Sequence, residues 1–597
     1  MPHPGAAPAC RAAPCPPLGR ARRAAARPAP RVPRAAPPAA VEAPAAEAPA
    51  AAAPAAAQQQ RAGAPAVAAQ PQREGAAGFE WSKAWYPAAA EEHLDPSKPH
   101  RVTLMGKELV LWRDSKGTWH AQNDACPHRL AALSDGFLDA ANDQIVCSYH
   151  GWRFTAEGKC VDIPQLRGDA TAHATACGSG RTCVKSYIVK EKGGLLWVWP
   201  DASPTAKADS DAAAIPLPSE LEDESLAPLA GRWFVREQPY SFDLFLENVL
   251  DPAHVDFAHD GVAGFSAAKH KPLTMQLLQD SGPQGFVYRV IPSKPGARAS
   301  LLTFAAPSHV SIFEEPAPAA PAPAGAAADA ADAGDVRPGS SNPNIRSGLI
   351  FYVYPTKPGW SRFHGTSFVC DKEGKPVKSA SIFARALPPW LQHTLGHTFL
   401  AGDDLHLHNG SKNLARAGFD HLGAYYPVAQ DQAVLHMRRW LSEHAGGNPP
   451  WPAHLQGAAP ILSALDLERP QVLDRYHQHV RHCKHCSAAL DNARKTASAA
   501  AALAAAAAAA ALLSAVLRLA APALAAAGAQ PAALPGWLAA ALGALGPAPL
   551  LGVAAAALLV RWAGRKLEGQ FVGFNDFERK PFAPSAAAQA AAAAAQA

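Results

Sequence analysis

Cys126-Pro127-His128 and Cys147-Ser148-Tyr149-His150-Gly151-Trp152 decide the reading of this chain. Each pair offers one soft thiolate and one imidazole to the same point in space. Two thiolates on one iron and two imidazoles on the other are the mixed ligand set of a [2Fe–2S] cluster. The same four residue types also make a Cys2His2 zinc site. Three neighbouring features favour iron and sulfur. The second pair runs into Gly151-Trp152, Pro127 stiffens the first loop, and alternating segments 102–112 and 195–199 flank both loops. This pattern predicts a small β-domain presenting two loops, not a ββα finger. The expected ligands are Cys126, His128, Cys147 and His150.

The surroundings carry a resemblance. Trp85-Tyr86-Pro87, Cys126-Pro-His-Arg-Leu, Cys147-Ser-Tyr-His-Gly-Trp-Arg-Phe and Ile163-Pro-Gln resemble the Rieske non-haem iron oxygenases, in their pheophorbide a oxygenase-like, chlorophyll-catabolic branch. The resemblance runs with gaps from about residue 81 to 577. With the patterning described below, the expected fold class is α+β: an all-β Rieske [2Fe–2S] domain, an α+β catalytic domain with an antiparallel sheet, and a C-terminal transmembrane helical hairpin.

Composition bounds the rest. A chain of 597 residues exceeds one ordinary domain and can bury a sizeable core. The net charge of +5 is misleading, because residues 1–41 hold seven Arg and no acid; without them it becomes −2. The basic charge belongs to the leader, and no nucleic-acid footprint remains. An Arg-rich, acid-free start reads as an organelle transit peptide, with no apolar core for secretion. The scattered cysteines suit a reducing compartment.

The expected organisation is a disordered transit peptide over 1–60, a linker over 61–78, the Rieske domain over 79–205 and the mononuclear iron domain over 206–470. Strand-like runs at 285–291, 301–304, 310–313 and 348–353 predict the antiparallel sheet. An Ala/Pro/Asp-rich insertion at 316–343 interrupts it. A Cys-x-x-Cys segment follows at 471–495, two transmembrane helices at 496–563 and a tail at 564–597. The apolar stretches are 499–517 and 537–560, flanked by Arg494, Lys495, Arg561, Arg565 and Lys566. Positive flanks on one side predict a hairpin with both ends in the stroma and Arg518 near its far end.

His254 and His259 form the next constellation. Five helical steps rotate about 140°, so a shared metal requires the helix to bend or end between them. With Asn248 and Asp251 they match the Asn-x2-Asp-x2-His-x4-His pattern of the resembled family's mononuclear Fe(II) site. Two imidazoles and one carboxylate leave positions open for O2. The resemblance supplies the carboxylate from Asp403, with Asp404 in reserve. It makes Asp251 a bridge from a Rieske histidine to His254 across a subunit boundary in a homotrimer, and gives Asn248 a place in the same catalytic segment.

Cys483 and Cys486, among several histidines, admit zinc, a spare buried pair or redox exchange. The resemblance implies a redox-active pair and thioredoxin as its partner. It also implies a plastid membrane-anchored monooxygenase taking electrons from ferredoxin and oxidising a chlorophyll-derived tetrapyrrole with O2. Pheophorbide a leads, ahead of protochlorophyllide, chlorophyllide or a phyllobilin. A redox-sensing Rieske carrier of the inner-envelope import machinery is the reading from another class.

Overall fold

The computed structural model describes residues 79–573 apart from 219–220, 222–232, 263–264, 294–297, 316–344, 372–387, 419–423, 448, 528–535, 537–543 and 545. The expected leader and linker, the 316–343 insertion and the tail from 574 lie outside these residues.

Two antiparallel sheets build the N-terminal part. β1 (Tyr86–Ala90), β2 (His100–Leu104), β3 (Lys107–Arg113), β4 (Trp119–Asn123), β9 (Ser186–Lys192) and β10 (Leu195–Trp199) pair in the order β1-β10-β9-β4-β3-β2. Between them, β5 (Phe137–Asp139), β6 (Gln144–Val146), β7 (Arg153–Phe154) and β8 (Cys160–Asp162) pair in sequence order as a smaller sheet. Every residue of β10 is buried, because both of its faces are covered. Leu196 and Val198 join Tyr86 and Leu109 in the main core, and Trp197 and Trp199 pack with Trp233 and Tyr352.

The third sheet contains β11 (Phe234–Gln238), β12 (Leu273–Gly282), β13 (Gly285–Pro292), β14 (Ser300–Ala305), β15 (His309–Glu314), β16 (Ile345–Lys357) and β17 (Trp360–Asp371). Its order is β11-β17-β16-β15-β14-β13-β12. The runs expected at 285–291, 301–304, 310–313 and 348–353 are β13, β14, β15 and the middle of β16. The two parts share one core: Leu109 and Leu196 cluster with Phe245, Tyr354 and Phe363. The β2–β3 turn also bonds to β16, with Met105 N–H donating to Pro355 O (2.9 Å) and Gly106 N–H to Thr356 O (2.6 Å).

Helices fill the gaps around this sheet. Short α1 (Ala170–Cys177) and α2 (Ala206–Ala212) precede it. α3 (Phe242–Leu250) buries Phe242, Phe245, Leu246 and Leu250, an apolar stripe at helical spacing. Its other flank is held by Arg438 of α6 (Gln432–Glu443), which bonds Asp243 and Glu247; α4 (Val255–Ala258) and α5 (Pro389–Arg416) lie between them in sequence. α7 (Ala458–Ala464), α8 (Arg469–Val472) and α9 (Arg475–Gln478) lead to the C-terminal helices.

α10 (Lys484–Ala526) and α11 (Pro547–Val572) pack antiparallel and are long and apolar enough to cross a membrane. Ala497, Ala500, Ala504, Ala507 and Ala511 form a buried seam at spacings of three and four. Gly564 sits against that seam, where a Cβ would lie 3.1 Å from Ala497 Cβ. Leu512, Leu519, Leu559 and Trp562 point outward. Small residues inside and large apolar ones outside is the pattern of helices packed in lipid. Of the expected stretch 537–560, residues 537–543 and 545 lie outside the described residues; the described helix opens at Pro547, after Gly546 at φ 64°, and runs on to Val572. Proline at the first helical position is a start signal that hydropathy overlooks. The first helix begins at Lys484, so the Cys-x-x-Cys segment is its first turn.

Candidate active site

The two cluster loops are built alike. Cys126 N–H donates to Ala131 O (2.8 Å) and Leu130 N–H to Cys126 O (2.8 Å). Cys147 N–H donates to Trp152 O (2.9 Å) and Gly151 N–H to Cys147 O (2.9 Å). The fifth residue of each loop is left-handed, Leu130 at φ 58° and Gly151 at φ 74°. The Cys126 and Cys147 thiols are both buried. Burial pushes the Cys126 thiol up to about 12, opposed by the backbone N–H of His128. A bound metal would displace that proton.

The imidazoles lie on the outer side. The half-buried His128 and His150 rings are 4.5 Å apart between centroids, and Trp152 stacks on His128 at 4.8 Å and 4°. His128 Nδ1 is buried with no hydrogen-bond partner among the described residues. Buried thiols, half-buried imidazoles and an orphaned His128 ring nitrogen fit a two-iron cluster.

The mononuclear constellation starts where α3 stops. Pro252 disfavours helix at the residue before it, and Asp251 is extended (φ −94°, ψ 108°). α4 then lasts a single turn, with His254 at its N-cap and His259 at its C-cap. The end of the helix, rather than a shared face, lets both rings meet one point, 5.5 Å apart between centroids. His254 Nδ1 donates to Asp251 O (2.6 Å), which turns Nε2 inward. Burial lowers the pKa of His254 and favours the neutral, metal-binding imidazole.

Asp403 arrives from α5. Its carboxylate lies 3.9 Å from His254 Nε2 and 3.3 Å from His259 Nε2. All three ligand atoms fall within 4.8 Å of one another. Gly402 makes this approach possible: a Cβ there would stand 2.5 Å from Ala258 O and 2.8 Å from His259 Nδ1. Phe399, one turn back, stacks on His259 at 3.6 Å and 19°.

Asp404 faces elsewhere, because successive helical residues diverge by about 100°. Arg236 of β11 donates to it (2.8 Å) and Tyr240 O–H does so at 3.3 Å. Both members of the Arg236–Asp404 pair are about 1% exposed. Asp404 therefore ties α5 to β11 and stays out of the His254–His259 constellation. Asp251 is closer to the surface, its side chain 27% exposed. Its Oδ1 accepts from Ala253 N–H (2.7 Å), and burial raises its pKa against the opposing pull of His254. Half-buried Asn248 lies one turn earlier, its carbonyl accepting from Asp251 N–H (3.2 Å).

Cys483 and Cys486 come together with His393 and His479, all four buried and with ligand atoms within 4.8 Å of one another. Sequence reading named the two cysteines but missed His393, which lies on the first turns of α5 with no local motif around it. Gly402, Phe399 and Arg236 also carried no signal: each is recognised only by the element it packs against.

Comparison with known proteins places the chain in a family. Residues 84–187 match the Rieske [2Fe-2S] domain family, and residues 304–421 match the pheophorbide a oxygenase family. The chain is 30% identical over 427 residues to pheophorbide a oxygenase, chloroplastic, of Arabidopsis thaliana, covering 69% of this chain and 73% of the relative. It is 29% identical over 441 residues to protochlorophyllide-dependent translocon component 52 of the same plant, covering 70% and 74%. It is 29% identical over 416 residues to flavonoid 8-hydroxylase 2, chloroplastic, of Ocimum basilicum, covering 69% and 74%. With a Rieske [2Fe–2S] centre and a mononuclear non-haem iron site as its cofactors, the chain belongs to the pheophorbide a oxygenase-like family of Rieske oxygenases.

Proposed function

We propose that this protein is a plastid, membrane-anchored monooxygenase that oxidises a chlorophyll-derived tetrapyrrole, pheophorbide a first among candidates, opening its macrocycle with O2 and electrons from ferredoxin. The observation that carries the reading is the meeting of His254, His259 and Asp403 in a chain that also holds a Rieske quartet. A pure electron carrier has no use for the first set. The relatives named for pheophorbide a and for protochlorophyllide support a tetrapyrrole, and the relative named for flavonoids keeps the exact substrate open to test.

Cys126, Cys147, His128 and His150 would hold the cluster; His254, His259 and Asp403 would hold the iron. When bound, the cluster stores single electrons and the ferrous ion offers open positions for O2. The chain's own residues do the rest. The His254 Nδ1 bond to Asp251 O holds its Nε2 in place, and Phe399 covers the buried His259 ring. Asp251 keeps a carboxylate oxygen near the surface, suited to accept from a Rieske histidine of a neighbouring subunit. The half-buried rings of His128 and His150 suit the other side of that contact, and a head-to-tail homotrimer satisfies both. The outward Leu and Trp side chains of α10 and α11 suit an anchor in the membrane into which a hydrophobic substrate partitions.

The test is a panel. Purified protein, reduced ferredoxin and O2 are given pheophorbide a, protochlorophyllide, chlorophyllide, a phyllobilin and a flavonoid, with iron counted per chain. A ring-opened red product from pheophorbide a supports the proposal. Product only from another compound reassigns the substrate. No product from any, together with only the two cluster irons, supports the carrier reading.

A further inference from the structure

We propose that His393, His479, Cys483 and Cys486 hold a single tetrahedral zinc ion that clamps the catalytic domain to the base of the C-terminal helical hairpin. Three separate elements bring the ligands together. His393 is on α5, His479 follows α9, and Cys483 caps α10 with Cys486 in its first turn. His393 Nδ1 lies 3.3 Å from Cys483 Sγ and 3.5 Å from Cys486 Sγ, and His479 Nε2 lies 3.3 Å from Cys486 Sγ. A tetrahedral zinc with its usual bond lengths separates sulfur and nitrogen ligands by about 3.6 Å. The site is therefore sized for one ion, not for a two-iron cluster.

The donor set matches zinc in kind and charge. Two thiolates neutralise a dication, so the filled site can be buried without net charge. Binding would release the two thiol protons to solvent, with no oxidation or reduction. His479 Nδ1 donates to Val235 O (2.6 Å), which fixes the ring and points Nε2 at the thiols. The four residues are between 1% and 4% exposed. Val480, Leu490 and Phe571 close an apolar shell around the cysteines, and Phe571 belongs to α11.

The position gives the ion a purpose. His393 sits ten residues before Asp403 on the same helix, about 15 Å along its axis. Gln478, next to His479, bonds Arg236, which in turn bonds Asp404. The ion would hold the helix that carries the iron-site carboxylate in register with the hairpin. Thioredoxin exchange, by contrast, needs a reachable sulfur, and both cysteines are only 1% exposed.

Full-length protein, purified in detergent without chelator from zinc-supplemented cells, provides the test. One zinc per chain is expected beside the irons. X-ray absorption at the zinc edge should show sulfur at about 2.3 Å and nitrogen at about 2.0 Å. Cys486→Ser and His393→Ala should each lower zinc about tenfold or more while the Rieske absorption and iron count persist. Wild-type zinc below about a tenth per chain, a zinc shell without sulfur, or ready labelling of both thiols in the native protein would overturn the proposal. The absorption measurement uses wild-type protein, so it decides the matter even where a variant fails to fold.

Discussion

Two quartets in this molecule contain the same four ligands and differ in everything else. Cys126, His128, Cys147 and His150 keep their thiols inside and leave their imidazoles half-buried at the surface. His393, His479, Cys483 and Cys486 are sealed within 4.8 Å of one another under an apolar shell. The first quartet is hung on two loops of like hydrogen bonding, and the second is gathered from three elements. A centre that passes electrons needs an outward face, whereas a clamp needs none. Ligand identity does not separate the two; spacing and exposure do.

The largest effects break the first quartet or its iron partner. Cys126→Ser should abolish the visible Rieske spectrum and all turnover. His254→Ala should keep that spectrum, lose one iron per chain and also end turnover. Optical spectra with iron counting separate the two, and wild-type oxygenation by His254→Ala would refute the iron site.

Asp403 and Asp404 test the same distinction between chemistry and clamp. Asp403→Asn should lose mononuclear iron while the fold survives. Asp404→Ala strands the buried Arg236 and should cost about 3–5 kcal/mol of stability. Thermal melts and iron counts should therefore move in opposite members of the pair. Equal iron loss at equal stability would erase the assignment.

These neighbours also show how far the sequence was legible. The Rieske loops were, because cluster ligation is a local pattern of Cys, His, Gly and Pro. His254 and His259 were, because a proline-ended helix brings a short-range pair together. The resemblance already preferred Asp403, but the reason Asp404 stays out lies in its partner on β11, and Arg236 carries no motif that announces it. His393 was invisible for the same reason: it joins Cys483 only through tertiary packing. The start of the described helix at Pro547 was not legible because apolar content runs on through Gly546-Pro547, and hydropathy does not register a left-handed glycine.

Gly402→Ala should act next most strongly. Its Cβ would collide with Ala258 O at 2.5 Å, a backbone atom that cannot swing aside. Moving α5 from α4 misplaces Asp403 against both histidines, and a displacement approaching about 1 Å costs up to about 10²-fold in rate. Iron occupancy and turnover should fall while the Rieske spectrum and the zinc content stay unchanged. A variant of normal activity would show that the iron site tolerates a looser approach.

Asp251→Asn should retain both metal centres and slow cluster oxidation about 10–100-fold, the usual cost of an outer-shell partner. The carboxylate can accept from two imidazoles, but an amide presents one acceptor and one donor side. Single-turnover absorbance of the cluster reads the step directly. An unchanged rate would move the electron route away from Asp251.

The smallest effect compares the two Rieske loops with each other. Leu130 and Gly151 occupy the same left-handed place, yet only glycine adopts it without strain. For a residue with a Cβ the conformation costs roughly 1–2 kcal/mol. Leu130 is 78% exposed and offers little burial in return. Leu130→Gly relieves the strain and gives back about 0.5–1 kcal/mol as unfolded-chain entropy, leaving a stabilisation of between about 0 and 1.5 kcal/mol. Gly151→Ala adds strain and brings a Cβ to 3.1 Å from Pro164 Cγ, so it should destabilise. Melting of the isolated Rieske absorption band in the full-length protein reads both. If Leu130→Gly instead lowers the melt clearly, the exposed leucine has a partner outside this chain, and the neighbouring subunit that receives the Rieske histidines is the place to look for it.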